Sequence, residues 1–151
     1  MIFGTTSLIY LLFTLCLLLS LRGGTSEKKA FLLILLALPV AVLLIKGIHL
    51  FFFEDRPFIT FDFIPLVSVV NDASFPSRHA AISAVIAFAF TYFRSKWTAF
   101  MLFLMVWIGL SRVYVGAHYP LDVIGGFAIG AISILITSQI RKLLKKGMLA
   151  V

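Results

Sequence analysis

Five apolar segments dominate this sequence, and they restrict the chain to one class of fold. Their approximate bounds are 2–21, 30–53, 78–93, 97–115 and 119–140. A helix crosses a hydrocarbon core of about 30 Å with about 20 apolar residues, and these segments are close to that length. A composition of 62% hydrophobic and 13% charged residues is also too apolar for a soluble domain of 151 residues. We predict a single all-α membrane domain over residues 1–151, an integral bundle of about five transmembrane helices.

The first apolar segment is expected to remain in the mature protein. It lacks the cationic start of a secretory signal and is longer than the usual hydrophobic region of such a signal. It also contains Cys16, the only cysteine of the chain. One cysteine forms neither an intrachain disulfide nor a cysteine metal cluster, so neither feature is expected.

Lysine and arginine are concentrated in alternate connections. Nine of the 13 cationic residues lie in the connections 22–29 and 94–96 and in the tail: Arg22, Lys28, Lys29, Arg94, Lys96, Arg141, Lys142, Lys145 and Lys146. Short loops rich in these residues stay in the cytoplasm, which predicts a cell-membrane protein (plasma or inner membrane) with its N-terminus outside and its C-terminus cytoplasmic. The net charge of +7 therefore reflects topology, with attraction to anionic lipids as a second effect. No nucleic-acid partner is expected.

The remaining cations and all three histidines lie near the predicted outer ends of helices. They are Lys46, Arg56, Arg78 and Arg112, with His49, His79 and His118. An ionisable group at membrane depth costs about 2.5–3.5 kcal/mol on insertion scales. Residues that carry this cost without a topological reason indicate a functional site at the extracytoplasmic face.

Three stretches contain these residues: KGIHLFFFEDRP (46–57), PSRH (76–79) and SRVYVGAHYPLD (111–122). Together they resemble the three-part signature of the type 2 phosphatidic acid phosphatase superfamily, K-x6-R-P, P-S-G-H and S-R-x5-H-x3-D. The third stretch fits without a gap, the second fits at three of four positions, and the first keeps Arg56 and Pro57. The wider sequence, with FFEDRPF and DASFPS, is most similar to the undecaprenyl diphosphate phosphatase branch associated with bacitracin resistance.

The resemblance implies a membrane lipid phosphatase that works through a phosphohistidine intermediate. In that mechanism His118 would attack phosphorus, and Asp122 would orient its ring. His79 would protonate the leaving oxygen and later activate water. Arg56 and Arg112 would clamp the phosphoryl oxygens, although an arginine at a membrane surface otherwise contacts lipid headgroups.

Local geometry is consistent with these roles and leaves alternatives. If a helix begins at Pro120, the carboxylate of Asp122 returns beneath His118. The alternative is an aspartate that only interacts with the helix dipole, next to a histidine that only caps. Ser77 lies at a predicted helix start, where it can cap the helix or donate to a phosphate bound at the free N–H groups.

The chain departs from the signature at two positions. His49 stands where the lysine is expected, and the nearest lysine, Lys46, lies on the same helix face about 4.5 Å deeper. Either Lys46 snorkels up to the phosphate or His49 takes its place, unless Lys46 only rises to the surface. Arg78 stands where the signature has glycine, so the backbone there is expected to be ordinary helix. Its side chain would bind the second phosphate of a diphosphate or face the membrane interface.

The predicted substrate is a lipid phosphate, in the first place a polyprenyl diphosphate such as undecaprenyl diphosphate. The runner-up is phosphatidylglycerol phosphate or another lipid monophosphate. No metal or other cofactor is expected, because the acidic residues Glu54, Asp55, Asp62 and Asp72 do not cluster as a divalent site requires. The superfamily core has six helices against five segments here, which leaves a homo-oligomer open.

Two rival functions are also compatible with the sequence. A small anion transporter would need charges spread through the depth of the bundle, and a non-catalytic lipid-binding subunit is the other rival.

The connection 54–77 is too short to span, which favours an interfacial segment or lid over a plain connector. Gly125, Gly126 and Gly130 indicate close helix packing, with a dimer contact as the alternative.

Overall fold

The computed structural model describes residues 8–67 and 72–148. Within these ranges the only regular secondary structure is helical, as predicted. The helices are α1 (Leu8–Arg22), α2 (Thr25–Phe51), the short α3 (Pro57–Thr60), α4 (Arg78–Tyr92), α5 (Thr98–Tyr114) and α6 (Pro120–Met148).

Two helices of the described chain are long and apolar enough to cross a membrane. These spans are Thr25–Phe51 and Pro120–Lys145, and α1 and α5 are shorter apolar helices. The central helix α4 has 15 residues. The five-span topology and its orientation therefore stay predictions.

Two helix ends in the described part of the chain differ from the predicted bounds by five residues or more. Helix α2 begins at Thr25, ahead of the predicted residue 30, because the first turn places Glu27 where the Ser95 hydroxyl donates to its Oε1 at 2.6 Å. An acidic residue in a first turn is also favoured by the helix dipole. Helix α6 continues past residue 140 to Met148, so the start of the basic tail is helical. Residues 2–7 of the first predicted segment lie outside the described residues.

Helix α4 is the centre of the bundle and packs against α6, α5 and α2. Its buried side chains are mostly small: Ala80, Ala81, Ser83, Ala84, Val85, Ile86, Ala87, Ala89 and Phe90. A helix that is apolar on all sides is one that neighbours surround. The residues at the beginning of α4 consequently lie among the ends of the neighbouring helices.

Helices α4 and α6 approach each other closely at two glycines. A Cβ on Gly126 would lie 2.6 Å from the Ser77 carbonyl oxygen and 2.7 Å from the Ala80 Cβ. A Cβ on Gly130 would lie 2.5 Å from the Ala84 Cβ. Small residues four positions apart let two helix backbones come this near. These glycines therefore serve helix packing within the chain.

We expect Gly126→Ala to destabilise the protein, because the new methyl group meets a backbone carbonyl that has little freedom to move. Overpacking of this kind costs about 1–3 kcal/mol, which thermal unfolding in detergent measures as a lower Tm. Gly47→Ala is the matched control, since nothing lies within 4 Å of a Cβ there and alanine favours a helix. Equal Tm values for the two variants would contradict the close contact.

Candidate active site

Four segments meet at one end of the bundle: the connection between α2 and α4, the start of α4, the end of α5 and the start of α6. Arg56 Nη1 lies 3.2 Å from His118 Nε2. The Ser77 N–H donates to the Asp122 carbonyl oxygen at 3.0 Å. His79 lies within electrostatic range of His118, Arg112 and Arg56. The residues that the structure brings together here are Arg56, Ser77, His79, Arg112, His118 and Asp122.

The cap at the end of α5 positions His118. The Ala117 N–H donates to the Arg112 carbonyl at 3.1 Å and the Gly116 N–H to the Val113 carbonyl at 3.0 Å, which is the Schellman pattern. Gly116 has a φ of +75°, a left-handed conformation that glycine adopts without a steric cost. The S-R-x5-H spacing thus places the arginine on the last turn and the histidine just beyond the cap.

One oxygen of Asp122 organises the start of α6, which begins at Pro120 as predicted. Its Oδ2 accepts the Tyr119 N–H at 2.9 Å, which is one half of a capping box. The same Oδ2 lies 3.3 Å from His118 Nδ1 and accepts the Ser74 hydroxyl at 2.5 Å. Asp122 is fully buried. Helix capping and histidine orientation, which the sequence left as alternatives, are therefore carried out by the same carboxylate.

The tautomer of His118 follows from its two neighbours. Arginine has donors and no acceptor, so the contact from Arg56 Nη1 requires a lone pair on His118 Nε2. The proton of the neutral ring is then on Nδ1, which donates to Asp122. The Nε2 lone pair is consequently the nucleophilic position, and it faces a guanidinium group.

The electrostatic surroundings keep this ring neutral. Burial lowers the pKa of His118 below its ordinary value of 6.5, and the positive charges of Arg56 and Arg112 lower it further. The hydrogen bond with Asp122 opposes both effects, but the net direction is downward. A neutral imidazole at pH 7 has an unprotonated nitrogen available for attack.

The side chains of Arg112 and Ser77 have hydrogen-bond donors in the site that are available to a ligand. Arg112 is 6% exposed, and its Nε has no hydrogen-bond partner in the described part of the chain. Ser77 is the N-cap residue of α4, but its side chain makes no capping bond, and its buried Oγ likewise lacks a partner among the described residues. Leaving a buried donor unpaired costs about 1–3 kcal/mol. The arrangement is suited to an anion that supplies the missing acceptors.

Asp72, from the connection between α2 and α4, forms ion pairs with both Arg56 and Arg78. Its Oδ1 accepts from Arg56 Nη2 at 2.6 Å, and its carbonyl oxygen accepts from Arg56 Nε at 3.1 Å. The remaining carboxylate oxygen accepts from Arg78 Nη2 at 2.5 Å. Arg56 Nη1 also donates to the Ala117 carbonyl at 2.9 Å. Arg56 is thus fixed by the backbone and by one shared carboxylate, while the Arg78 side chain is 51% exposed.

Lys46 and His49 lie beside the site, on one face of α2 as predicted. Together with Arg78 they line a groove between α2 and α4. Within the described residues, neither side chain forms a hydrogen bond or ion pair with the residues around His118.

Ser74 and Asp72 are the two residues of the site to which sequence reasoning assigned no role. Both lie in DASFPS, directly before the predicted histidine stretch. Their position as short polar residues between two apolar segments could have indicated a functional role. It could not have predicted that their partners are Asp122 and Arg56. Across residues 8–67 and 72–148, no group of three His, Cys, Asp or Glu side chains could hold a metal ion.

Comparison with known proteins identifies relatives of the chain. Residues 30–146 match the family model of the PAP2 superfamily. YbjG of Escherichia coli (strain K12) is 33% identical over 135 residues, which cover 89% of this chain and 68% of YbjG. Undecaprenyl-diphosphatase BcrC of Bacillus subtilis (strain 168) is 32% identical over 134 residues, 87% of this chain and 68% of BcrC. The crystal structure of Aquifex aeolicus LpxE superposes with a TM-score of 0.73 at 28% identity, covering 90% of this chain and 79% of LpxE.

We expect the titration midpoint of His118 to lie below 6.5, since burial and two arginines disfavour its protonated form. The double variant His49→Gln/His79→Gln leaves His118 as the single histidine of the chain. Carbon-13 NMR of histidine-labelled protein in detergent then follows this ring alone as the pH changes. A midpoint at or above 6.5 would contradict the described environment.

Proposed function

Since the chain belongs to the PAP2 superfamily, we propose that the residues around His118 form the active site of a membrane lipid phosphatase. Its substrate is a polyprenyl diphosphate, in the first place undecaprenyl diphosphate, which it hydrolyses to the monophosphate and phosphate. The relative BcrC is named for that activity, and the similarity extends over 87% of this chain. Residues 1–151 act as a single domain.

The main support for this proposal is that a neutral nucleophile lies in the same site as hydrogen-bond donors that are available to bind an anion. His118 directs the Nε2 lone pair toward Arg56. Arg112 and Ser77 offer donors without partners in the described chain. Preorganised donors of this kind stabilise the charge of a phosphoryl group during transfer. An anion transporter would not require a histidine held by a buried carboxylate.

In the first step His118 Nε2 forms a bond to the terminal phosphorus of the substrate. The bond between that phosphorus and its bridging oxygen breaks, and the electron pair remains on the leaving oxygen. The negative charge of the bound substrate favours the protonated form of His79, which gives its proton to this oxygen. Arg56, which gives up its contact with Nε2, and Arg112 bind the equatorial oxygens in bidentate geometry. The products are the lipid monophosphate and a phosphohistidine.

In the second step water attacks the phosphorus of the phosphohistidine. His79, now neutral, accepts a proton from the water. The bond between phosphorus and Nε2 breaks, and its electron pair returns to His118. Inorganic phosphate leaves with the oxygen of the water, and each histidine can enter another cycle.

We place the site at the extracytoplasmic face of a five-helix membrane bundle. The start of α4, the end of α5 and the start of α6 lie at that face, and the basic connections lie at the other. The positive-inside rule assigns the basic side to the cytoplasm. In this orientation a lipid substrate keeps its tail in the bilayer while its phosphate reaches His118.

We expect purified protein to release phosphate from farnesyl diphosphate in the presence of excess chelator, because arginines rather than a divalent ion bind the phosphoryl group. Removing the nucleophile with His118→Ala should lower turnover by at least about 10⁴-fold. A phosphate-release assay measures both results. Complete loss in chelator would contradict the metal-free mechanism, and an active, folded His118→Ala variant would contradict the assigned nucleophile.

We expect Ser74→Ala to lower kcat by about tenfold to a hundredfold with little change in KM, because Asp122 loses a donor and holds His118 less firmly. Ser133→Ala is the matched control, since this fully buried serine donates only to the Ile129 carbonyl in its own helix. Steady-state kinetics and Tm are measured for both variants. A Ser74→Ala variant that differs from wild type only in Tm would show that Ser74 has no positioning role.

A further inference from the structure

A groove of about 360 Å³ between α2 and α4 adjoins the proposed site. Lys46, His49 and Arg78 line its polar part. Ala41, Ile45 and Ile82 contribute apolar walls. Because α2 runs toward the site and α4 runs away from it, the polar residues lie nearer the site and the apolar ones deeper. From His49 to Ala41 the groove extends about 12 Å along α2 at the rise of a helix.

The polar part of the groove is cationic and has unused donors. Arg78 uses one of its N–H groups for Asp72, the single carboxylate that it shares with Arg56. The buried Nε2 of His49 has no hydrogen-bond partner among the described residues. Lys46 adds an ammonium group on a flexible stem. The chemistry that fits is a phosphate attached to an apolar chain.

A short series of contacts connects the groove to the nucleophile. Arg78 donates to Asp72 at 2.5 Å, and Asp72 accepts from Arg56 at 2.6 Å. Arg56 Nη1 lies 3.2 Å from the nucleophilic nitrogen of His118. The groove and the phosphoryl site are therefore neighbouring parts of one cationic surface, which suits a ligand with two adjacent phosphoryl groups.

We propose that the groove is the subsite for the phosphoryl group that stays on the lipid, together with the first part of its apolar chain. This inference rests on the proposed function. When the terminal phosphoryl group lies at His118, Lys46, His49 and Arg78 surround the inner one. Breaking the bridging bond leaves the electron pair on that inner phosphate, where these cations stabilise the developing charge. A groove with this role favours diphosphates over monophosphates as substrates.

The test compares farnesyl diphosphate with farnesyl monophosphate, which have the same apolar chain. We expect Lys46→Met to lower the ratio of kcat/KM for diphosphate to that for monophosphate by about tenfold, the effect of one charge-assisted hydrogen bond. Lys46→Arg should retain most of the ratio. Lys142→Met is the matched control, because this exposed lysine lies near the other end of α6. The Tm of each variant in detergent confirms that it is folded.

Each outcome of this comparison is decisive. Equal losses for the two substrates in Lys46→Met would mean that Lys46 binds the phosphoryl group under attack, and would overturn the subsite. Unchanged constants for both substrates would assign the groove to a bilayer phospholipid or to no ligand, and would overturn it as well. A wild-type protein that releases phosphate from neither substrate would instead overturn the proposed function itself.

Discussion

The carboxylate of Asp122 is fully buried where α6 begins, and three donors share its Oδ2: the Ser74 hydroxyl, the Tyr119 N–H and His118 Nδ1. Burying a charge is costly unless hydrogen bonds replace the lost water. Here the donors come from two separate stretches of chain, the loop before α4 and the turn between α5 and α6. The Tyr119 N–H and His118 Nδ1 are local donors, and the Ser74 hydroxyl joins them only when the loop before α4 packs against the start of α6.

Arg56, Arg78 and Arg112 lie close enough to one another for their positive charges to repel. Asp72 is shared by two arginines, and Arg112 has no ion-pair partner in the described part of the chain. A phosphate with its negative charge would relieve this repulsion and fill the open donors. The protein keeps these groups in place before the substrate arrives, which avoids a reorganisation cost during the reaction. In the free protein, cationic repulsion and burial together hold His118 in its neutral form.

Local rules account for what could be predicted about the fold and the site. Segment length and polarity predicted helices, and the spacing of His118 and Asp122 predicted their contact once Pro120 was taken as a helix start. The contacts that sequence reasoning missed span longer separations. Ser74 reaches Asp122 across 48 positions, and the early start of α2 depends on a partner of Glu27 that lies 68 positions away. No periodicity or capping rule encodes such pairs.

The sequence by itself determined that this is an apolar helical chain, where its charges collect, and which histidines, arginines and serine belong to a phosphatase signature. These properties depend on residue type and on neighbours within about one helical turn. Only the tertiary structure decided that Asp72 links Arg56 to Arg78, and that Lys46 lines a groove beside the site. Those arrangements arise from the close packing of α4 against its neighbours, which depends on the shapes of whole helices.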